Sequence, residues 1–181
     1  LDPYDIYQMN KHLGVKFEEL LNHKISLHVE EGLILPNLKM QGKEDGCAFL
    51  NEKGRCTIHA FRPGFCRLFP LGRIYEDGSF SYYLQSQECT KANRTKVKVN
   101  KWLGIPDLKQ YENFVNGWHY FLKDTKALLL RLSDAQLNQE LSMYLLNRFY
   151  TTAFDLESDF YKQFDERMTQ MKKLIYTLDR Q

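Results

Sequence analysis

The sequence has no hydrophobic run long enough to cross a membrane and no strong excess of one charge. A membrane-spanning helix needs about 18 consecutive apolar residues, and no stretch of this chain approaches that length. The formal net charge is only +2, so no global field draws the chain to nucleic acid or to an anionic membrane. We therefore predict a cytoplasmic protein with neither a nucleic-acid nor a membrane partner.

Motifs that would identify an enzyme are also missing. No glycine-rich cofactor loop follows a predicted strand, and no nucleophile stands beside a base at a catalytic spacing. The chain has four cysteines, none of them in a CxxC pair, so it lacks the knuckles that mark a zinc ribbon. These absences place an enzyme below a binding protein among the candidate functions.

The composition indicates a folded domain with a substantial core. The 181 residues are 43% hydrophobic and 14% aromatic, which predicts one cooperative unit rather than a disordered chain. One basic run lacks interleaved aromatics, so we interpret it as a solvated connection rather than a phosphate site; it comprises Lys91, Arg94, Lys96, Lys98 and Lys101.

The pattern predicts an α+β fold with a small cysteine-rich half of short helices and β-hairpins. Asp2-Pro3 begins one helix that Gly14 ends, and a second short helix starts near Phe17. Hairpins are predicted to turn at Glu31-Gly32 and at Asp77-Gly78.

A bundle of about three long helices should follow. Ser133 and Gln136 have the spacing of a capping box that would open the second of these helices. The apolar stripes favour core packing over a cofactor site; the stripe of the second helix comprises Leu137, Leu141, Tyr144 and Leu145. We divide the chain into a metal-binding region, 1–95, and a helical region, 96–181, packed on it.

The cysteines are concentrated where regular periodicity is weakest. Eight residues separate Cys47 from Cys56, nine separate Cys56 from Cys66, and 22 separate Cys66 from Cys89. In a reducing compartment, clustered thiols are more often metal ligands than disulfides. Four thiolates satisfy one tetrahedral ion or one cubane cluster, so these four are the predicted metal ligands. His59 is a further possible ligand.

The residues around Cys66 suit a supporting role. Arg62, Arg67 and Arg73 would offset the net charge of about minus two on a tetrathiolate dication, although surface ion pairing is an equal alternative for each. Pro63 and Pro70 restrict the residues before them to extended backbone and would stiffen the loop. Neighbouring aromatics would either line the sulfur atoms or pack in the core; they are Phe61, Phe65 and Phe69.

Three segments together resemble the YkgJ-like cysteine-cluster proteins, a CxxCxxCC family described as zinc- or iron-chelating. These are CAFL at 47–50, GRCTIH at 54–59 and RPGFCRLFP at 62–70, and Cys89 fits the family's last cysteine. The CxxCxxCC motif itself is absent from the chain, and the opening PYDIYQMNKHLG is similar to the segment that follows it. We therefore expect the motif upstream of Leu1, where its thiols would permit an iron-sulfur cluster.

The sequence is compatible with three functions. The first is a metal-binding protein that holds zinc, iron or an iron-sulfur cluster. The second is an enzyme, because flagellin lysine N-methylases are similar in carrying such a cysteine cluster and would use S-adenosylmethionine. The third is a scaffold, stapled by its metal, whose helices bind a protein partner.

Overall fold

A computed structural model describes residues 1–42, 45–88 and 95–180, and Cys89, Lys91 and Arg94 lie outside the described residues. The chain forms two compact units. The larger unit comprises Leu1–Phe61 and Leu122–Gln181, and the smaller unit comprises Arg62–Phe121. The predicted functional division into 1–95 and 96–181 stays a prediction.

Helix α1, Pro3–Leu13, begins the larger unit as the sequence predicts. The Asp2 side chain accepts a hydrogen bond from the backbone N–H of Asp5, and the Asp5 side chain accepts one from that of Asp2. This reciprocal cap satisfies two N–H groups that the first helical turn leaves without partners. Gly14 ends the helix with φ 67°, a left-handed conformation that glycine adopts without steric cost.

Among the described residues, the strands form three antiparallel pairs, and the two predicted hairpins are confirmed. In the larger unit, β1 (Ile25–Glu30) pairs with β2 (Leu33–Leu38), and the two-residue strands β3 (Met40–Gln41) and β4 (Gly46–Cys47) pair next. The short helix α2, Phe17–His23, precedes them. In the smaller unit, β5 (Leu71–Glu76) pairs with β6 (Ser79–Leu84).

Helices form the second half of the chain, which confirms the α+β class. Helix α5 spans Leu108–Leu132, α6 spans Ala135–Leu146 and α7 spans Phe160–Leu178, with a π-helical turn at Asn147–Thr151 between the last two. Within the larger unit they bury a shared apolar core that includes Leu128, Leu141, Leu145, Phe149, Phe164 and Met171. Within the described ranges, no helix combines the length and apolarity that crossing a membrane requires.

The start of α6 differs from the prediction. Asp134, not Ser133, is the N-cap, because its carboxylate accepts the backbone N–H of Leu137. Ser133 has φ 49° and its hydroxyl donates instead to the carbonyl of Leu130. Both residue types are good caps, so the local sequence does not decide between neighbours.

The buried face of α6 is also rotated from the predicted one. Tyr144 is 47% exposed, whereas Ser142 is 1% exposed. The Ser142 hydroxyl accepts the backbone N–H of Ile34 in β2 at 2.7 Å. Ser142 shares the buried side of α6 with Leu141 and Leu145 of the predicted stripe, and Tyr144 lies on the solvent side.

The smaller unit consists of helix α3 (Gly64–Leu68), the β5–β6 hairpin, helix α4 (Val99–Leu103) and the start of α5. The hairpin packs on α5, where the Tyr75 and His119 rings stack with centroids 3.6 Å apart. The Tyr120 hydroxyl accepts the N–H of Gly78, and the Asn116 amide donates to the Gly78 carbonyl. These contacts fix the tip of the hairpin to the helix.

Candidate metal centre

Cys47 and Cys56 lie at the two ends of one closed loop in the larger unit. The backbone N–H of Leu50 donates to the carbonyl of Cys47 at 2.9 Å. Leu50 also forms an antiparallel bridge with Cys56, and such partners have Cα atoms about 4.5–5.5 Å apart. Cys47 and Cys56 are half-buried thiols outside any disulfide. The backbone of Leu50 thus links two of the predicted ligands.

The base of this loop is anchored in the core by Phe49 and Ile58, which are each 2% exposed. The Phe49 carbonyl accepts both the backbone N–H of Thr57, at 2.8 Å, and its hydroxyl, at 2.9 Å. A carbonyl has two lone pairs, so both bonds can form together. The residues that follow Cys47 and Cys56 are therefore held by the core of the unit.

The tip of the loop is closed by one asparagine. The Asn51 side-chain oxygen accepts the backbone N–H groups of Lys53 and Arg55, both at 3.0 Å. The Asn51 carbonyl accepts the N–H of Gly54 at 2.8 Å, and Gly54 has φ 67°. An Asx turn followed by a left-handed glycine is a tight reversal, which explains how eight residues return Cys56 to Cys47.

Lys24 is a cation beside this loop that no sequence pattern indicates. Its Nζ donates to the carbonyl of Ala48 at 2.7 Å and lies 5.2 Å from the centroid of the Phe49 ring. Lys24 therefore brings positive charge to the residue after Cys47. Its position at the end of α2, 23 residues before Cys47, carries no local signal of this contact.

Cys66 lies in α3 of the smaller unit. Pro63 is the N-cap of this helix, with φ −51° and ψ 151°, and both Pro63 and Gly64 are buried. Leu68 packs in the core at 5% exposed, while Phe65 is 81% exposed. Cys66 itself is half-buried. The helix therefore places the thiol at the boundary between an apolar core and solvent.

Arg67 connects α3 to α4 through its guanidinium group. Its Nε donates to the carbonyl of Arg62 at 3.0 Å, and its Nη1 donates to the carbonyl of Leu103 at 3.3 Å. A third bond between these elements runs from Trp102 Nε1 to the Phe69 carbonyl at 3.2 Å. Arg67 thus has a defined structural role, and its predicted role in offsetting thiolate charge stays a prediction, as does that of Arg62.

Arg73 lies among aromatic rings on β5. Its guanidinium carbon is 5.3 Å from the Phe80 centroid, 5.8 Å from that of Tyr82 and 5.6 Å from that of Tyr111. Within the described ranges, its buried Nε and Nη2 have no hydrogen-bond partner. Unpaired buried donors on a cation are costly, so an anion or another acceptor would stabilise Arg73.

Pro70 and His59 occupy different surroundings. The residue before Pro70, Phe69, has φ −52° and ψ 132°, the extended conformation that a following proline favours. His59 is exposed at the start of a 3₁₀ turn, His59–Phe61. The Phe61 ring stacks on that of His12, with centroids 4.7 Å apart. The possible ligand role of His59 stays a prediction.

The described part of the chain does not contain a complete metal site. Among residues 1–42, 45–88 and 95–180, no group of three or more His, Cys, Asp and Glu side chains is arranged to hold a metal ion. The predicted four-cysteine set includes Cys89, which lies outside these ranges. The donors that are described fit a soft metal, because Cys47 and Cys56 are unbridged thiols whose backbones are both linked to that of Leu50.

Comparison with known proteins identifies a class of metal-chelating domain. A family model, CxxCxxCC, with the description "Putative zinc- or iron-chelating domain", matches residues 1–101. The match covers more than half of the 181 residues, and the chain belongs to this family. No curated protein and no solved structure matches the chain significantly.

Proposed function

We propose that the protein binds one zinc or iron ion through the thiolates of Cys47, Cys56, Cys66 and Cys89. The observation that carries this proposal is the closed loop in which Leu50 joins the backbones of Cys47 and Cys56. Membership of the zinc- or iron-chelating family supports it. Sulfur is a soft donor that suits zinc and iron.

Two cations support the binding of an anionic tetrathiolate. A dication with four thiolates has a net charge of about minus two and needs compensation where it is shielded from water. Lys24 supplies one positive charge next to Cys47. We infer that Arg73, with two unpaired buried N–H groups, supplies a second positive charge that offsets part of the negative charge on the bound thiolates.

The test is the metal content of the protein after anaerobic purification, compared with that of single Cys→Ser variants. We expect about one zinc or iron ion per chain and loss of most of it in each of the four variants. Acid-labile sulfide present in a fixed proportion to the bound iron would identify an iron-sulfur cluster instead of a single ion. Met143→Ser is the matched control, because it removes a sulfur from a 49% exposed position far along the chain.

Full metal content in the Cys47→Ser or Cys66→Ser variant would contradict the proposed ligand set. His59→Ala belongs in the same series. Unchanged metal content in that variant would agree with an all-thiolate site, and loss of metal would make His59 a ligand.

A further inference from the structure

A cleft of about 360 Å³ lies between α1 and the start of α7, entirely within the larger unit. This is within the size range of small-molecule sites, about 300–1,000 Å³. Its floor is aromatic: Tyr7 is 6% exposed and Phe160 is 3% exposed. Tyr4 and Tyr161 complete the floor, with stacked rings 5.5 Å apart. The partly exposed rings of Tyr4 and Tyr161 offer apolar surface to a planar ligand.

The rim of the cleft carries one cation whose charge is not neutralised. Lys11 Nζ lies 5.8 Å from the centroid of the Tyr7 ring, and its hydrogen bond to the carbonyl of Leu156 is long, at 3.5 Å. Within the part of the chain that the structure describes, Lys11 forms no ion pair. The ammonium group is therefore available to an anion that enters the cleft.

The acidic residue on the rim does not oppose such an anion strongly. Asp159 is the N-cap of α7, and its carboxylate accepts the backbone N–H of Lys162 at 2.7 Å. The positive end of a 19-residue helix offsets part of the negative charge on this carboxylate. Gln8 and Ser158 add neutral hydrogen-bonding groups, and the lining also includes His12, whose ring stacks on Phe61.

We propose that this cleft binds a small planar aromatic anion. The ring packs against the aromatic floor of Tyr4, Tyr7, Phe160 and Tyr161, and the anionic group, a carboxylate or a phosphate, pairs with Lys11 Nζ. This site is separate from the proposed metal ligands and does not depend on them. No covalent step is involved.

The test uses 2-naphthoate and 2-naphthyl phosphate as probes, titrated into the isotope-labelled full chain and followed by NMR. The neutral analogue 2-naphthamide isolates the charge, and decahydronaphthalene-2-carboxylate isolates the aromatic ring. We expect saturable shifts at α1 and at the start of α7. Binding should weaken by about threefold to fivefold for the neutral analogue and by about tenfold for the saturated one.

Variants separate the two contributions. Lys11→Met keeps most of the aliphatic stem, so naphthoate should bind about threefold to fivefold more weakly while naphthamide is unaffected. Lys172→Met, an exposed lysine on α7 that does not line the cleft, is the matched control and should change neither. Tyr161→Leu should weaken both aromatic probes, and circular dichroism checks that each variant folds.

Three results would overturn the proposal. The first is the absence of saturable shifts up to the solubility limit of both anionic probes. The second is equal affinity for naphthoate and naphthamide in the wild-type chain. The third is an equal effect of Lys11→Met and Lys172→Met. Tighter binding of one of the two anionic probes would support the site and would show whether it prefers a phosphate or a carboxylate ligand.

Discussion

The loop that carries Cys47 and Cys56 and the helix that carries Cys66 are held by different kinds of interaction. In the loop, Leu50, Thr57 and Gly54 donate backbone N–H groups to backbone carbonyls, and Asn51 is the side chain that closes the tip. Around α3, the corresponding bonds come from the guanidinium of Arg67 and the indole of Trp102.

This difference predicts different sensitivities to substitution. A backbone framework tolerates changes in exposed side chains, because the hydrogen bonds do not depend on residue identity. Hydrogen bonds from a side-chain donor are lost when that residue is replaced, and the carbonyls that accepted them are left without partners. The loop should therefore be robust in geometry, whereas the position of α3 should depend on a few side chains.

The largest expected effect is that of Arg67→Met. Hydrogen bonds from charged donors contribute about 1.5–3 kcal/mol each, and Arg67 makes two to backbone carbonyls. Because Arg67 is only half-buried, we expect a loss of about 2–4 kcal/mol in unfolding free energy. Both tryptophans, Trp102 and Trp118, lie in the smaller unit, so urea denaturation followed by tryptophan fluorescence reports on it.

Arg55→Met is the matched control for Arg67→Met. Arg55 is exposed in the cysteine loop, which uses only its backbone N–H and carbonyl. Arg55→Met should lower the unfolding free energy by less than about 0.5 kcal/mol. Arg67→Lys, which keeps a positively charged donor, should lose less unfolding free energy than Arg67→Met. Equal costs at Arg55 and Arg67 would remove the distinction between the two regions.

Asn51→Ala tests the side chain that closes the tip of the loop. The substitution removes the acceptor of two backbone N–H groups, at an expected cost of about 1 kcal/mol. Hydrogen exchange should become faster at the amides of Lys53 and Arg55. Glu52→Ala, at the exposed neighbouring position, should leave exchange unchanged, and unchanged rates in Asn51→Ala would show that the backbone alone closes the tip.

Alkaline pH should weaken the smaller unit through Tyr82. Burial and the hydrogen bond to Glu112 raise the pKa of Tyr82 to about 12, although Arg73 opposes this shift. The unfolded chain ionises near its ordinary pKa of about 10. The stabilising contribution is therefore full below pH 10 and is lost between about pH 10 and 12, where the unfolded state releases the proton first.

Because Tyr82 is half-exposed, the contribution that is lost should be only about 1 kcal/mol. The unfolding free energy should fall less between pH 9 and 11.5 in Tyr82→Phe than in Tyr83→Phe on the same strand. Urea unfolding at the two pH values measures this fall. An alkaline profile of Tyr82→Phe identical to that of Tyr83→Phe would assign the loss to other groups.

The smallest expected effect is that of Phe65→Ser. Phe65 is 81% exposed, so the substitution should change the unfolding free energy by less than about 0.5 kcal/mol. Leu68→Ala in the same helix, at 5% exposed, should cost about 2–4 kcal/mol. If Phe65→Ser were as costly as Leu68→Ala, the Phe65 side chain would have to be buried, in contradiction to its exposed position here.

Local patterns predicted most elements of the fold. The Asp2-Pro3 start and Gly14 stop defined α1, and the Glu31-Gly32 and Asp77-Gly78 pairs defined two hairpins because left-handed turn positions favour glycine and aspartate. The same reasoning chose Ser133 over Asp134 for the cap of α6. When two neighbouring residues are both good caps, tertiary contacts decide which of them begins the helix.

The candidate site was predictable in its residue types and less so in its contacts. The density of cysteines indicated thiolate ligands, and the family match agrees with a metal-chelating class. The contact of Lys24 with Ala48 and that of Arg67 with Leu103 join residues 24 and 36 positions apart. Such pairings arise when elements pack, and no local pattern encodes them. The exposure of Phe65 is likewise a result of packing.

Substitution with Co²⁺ tests the central claim, thiolate coordination by the four cysteines, most directly. Thiolate-to-cobalt charge-transfer absorption grows with the number of bound sulfurs, so the wild-type chain should give the intensity of a tetrathiolate site. Each of Cys47→Ser, Cys56→Ser, Cys66→Ser and Cys89→Ser should lower that intensity by about a quarter or abolish binding. Absence of the band in the wild-type chain, or an unchanged band in Cys47→Ser or Cys66→Ser, would contradict the account.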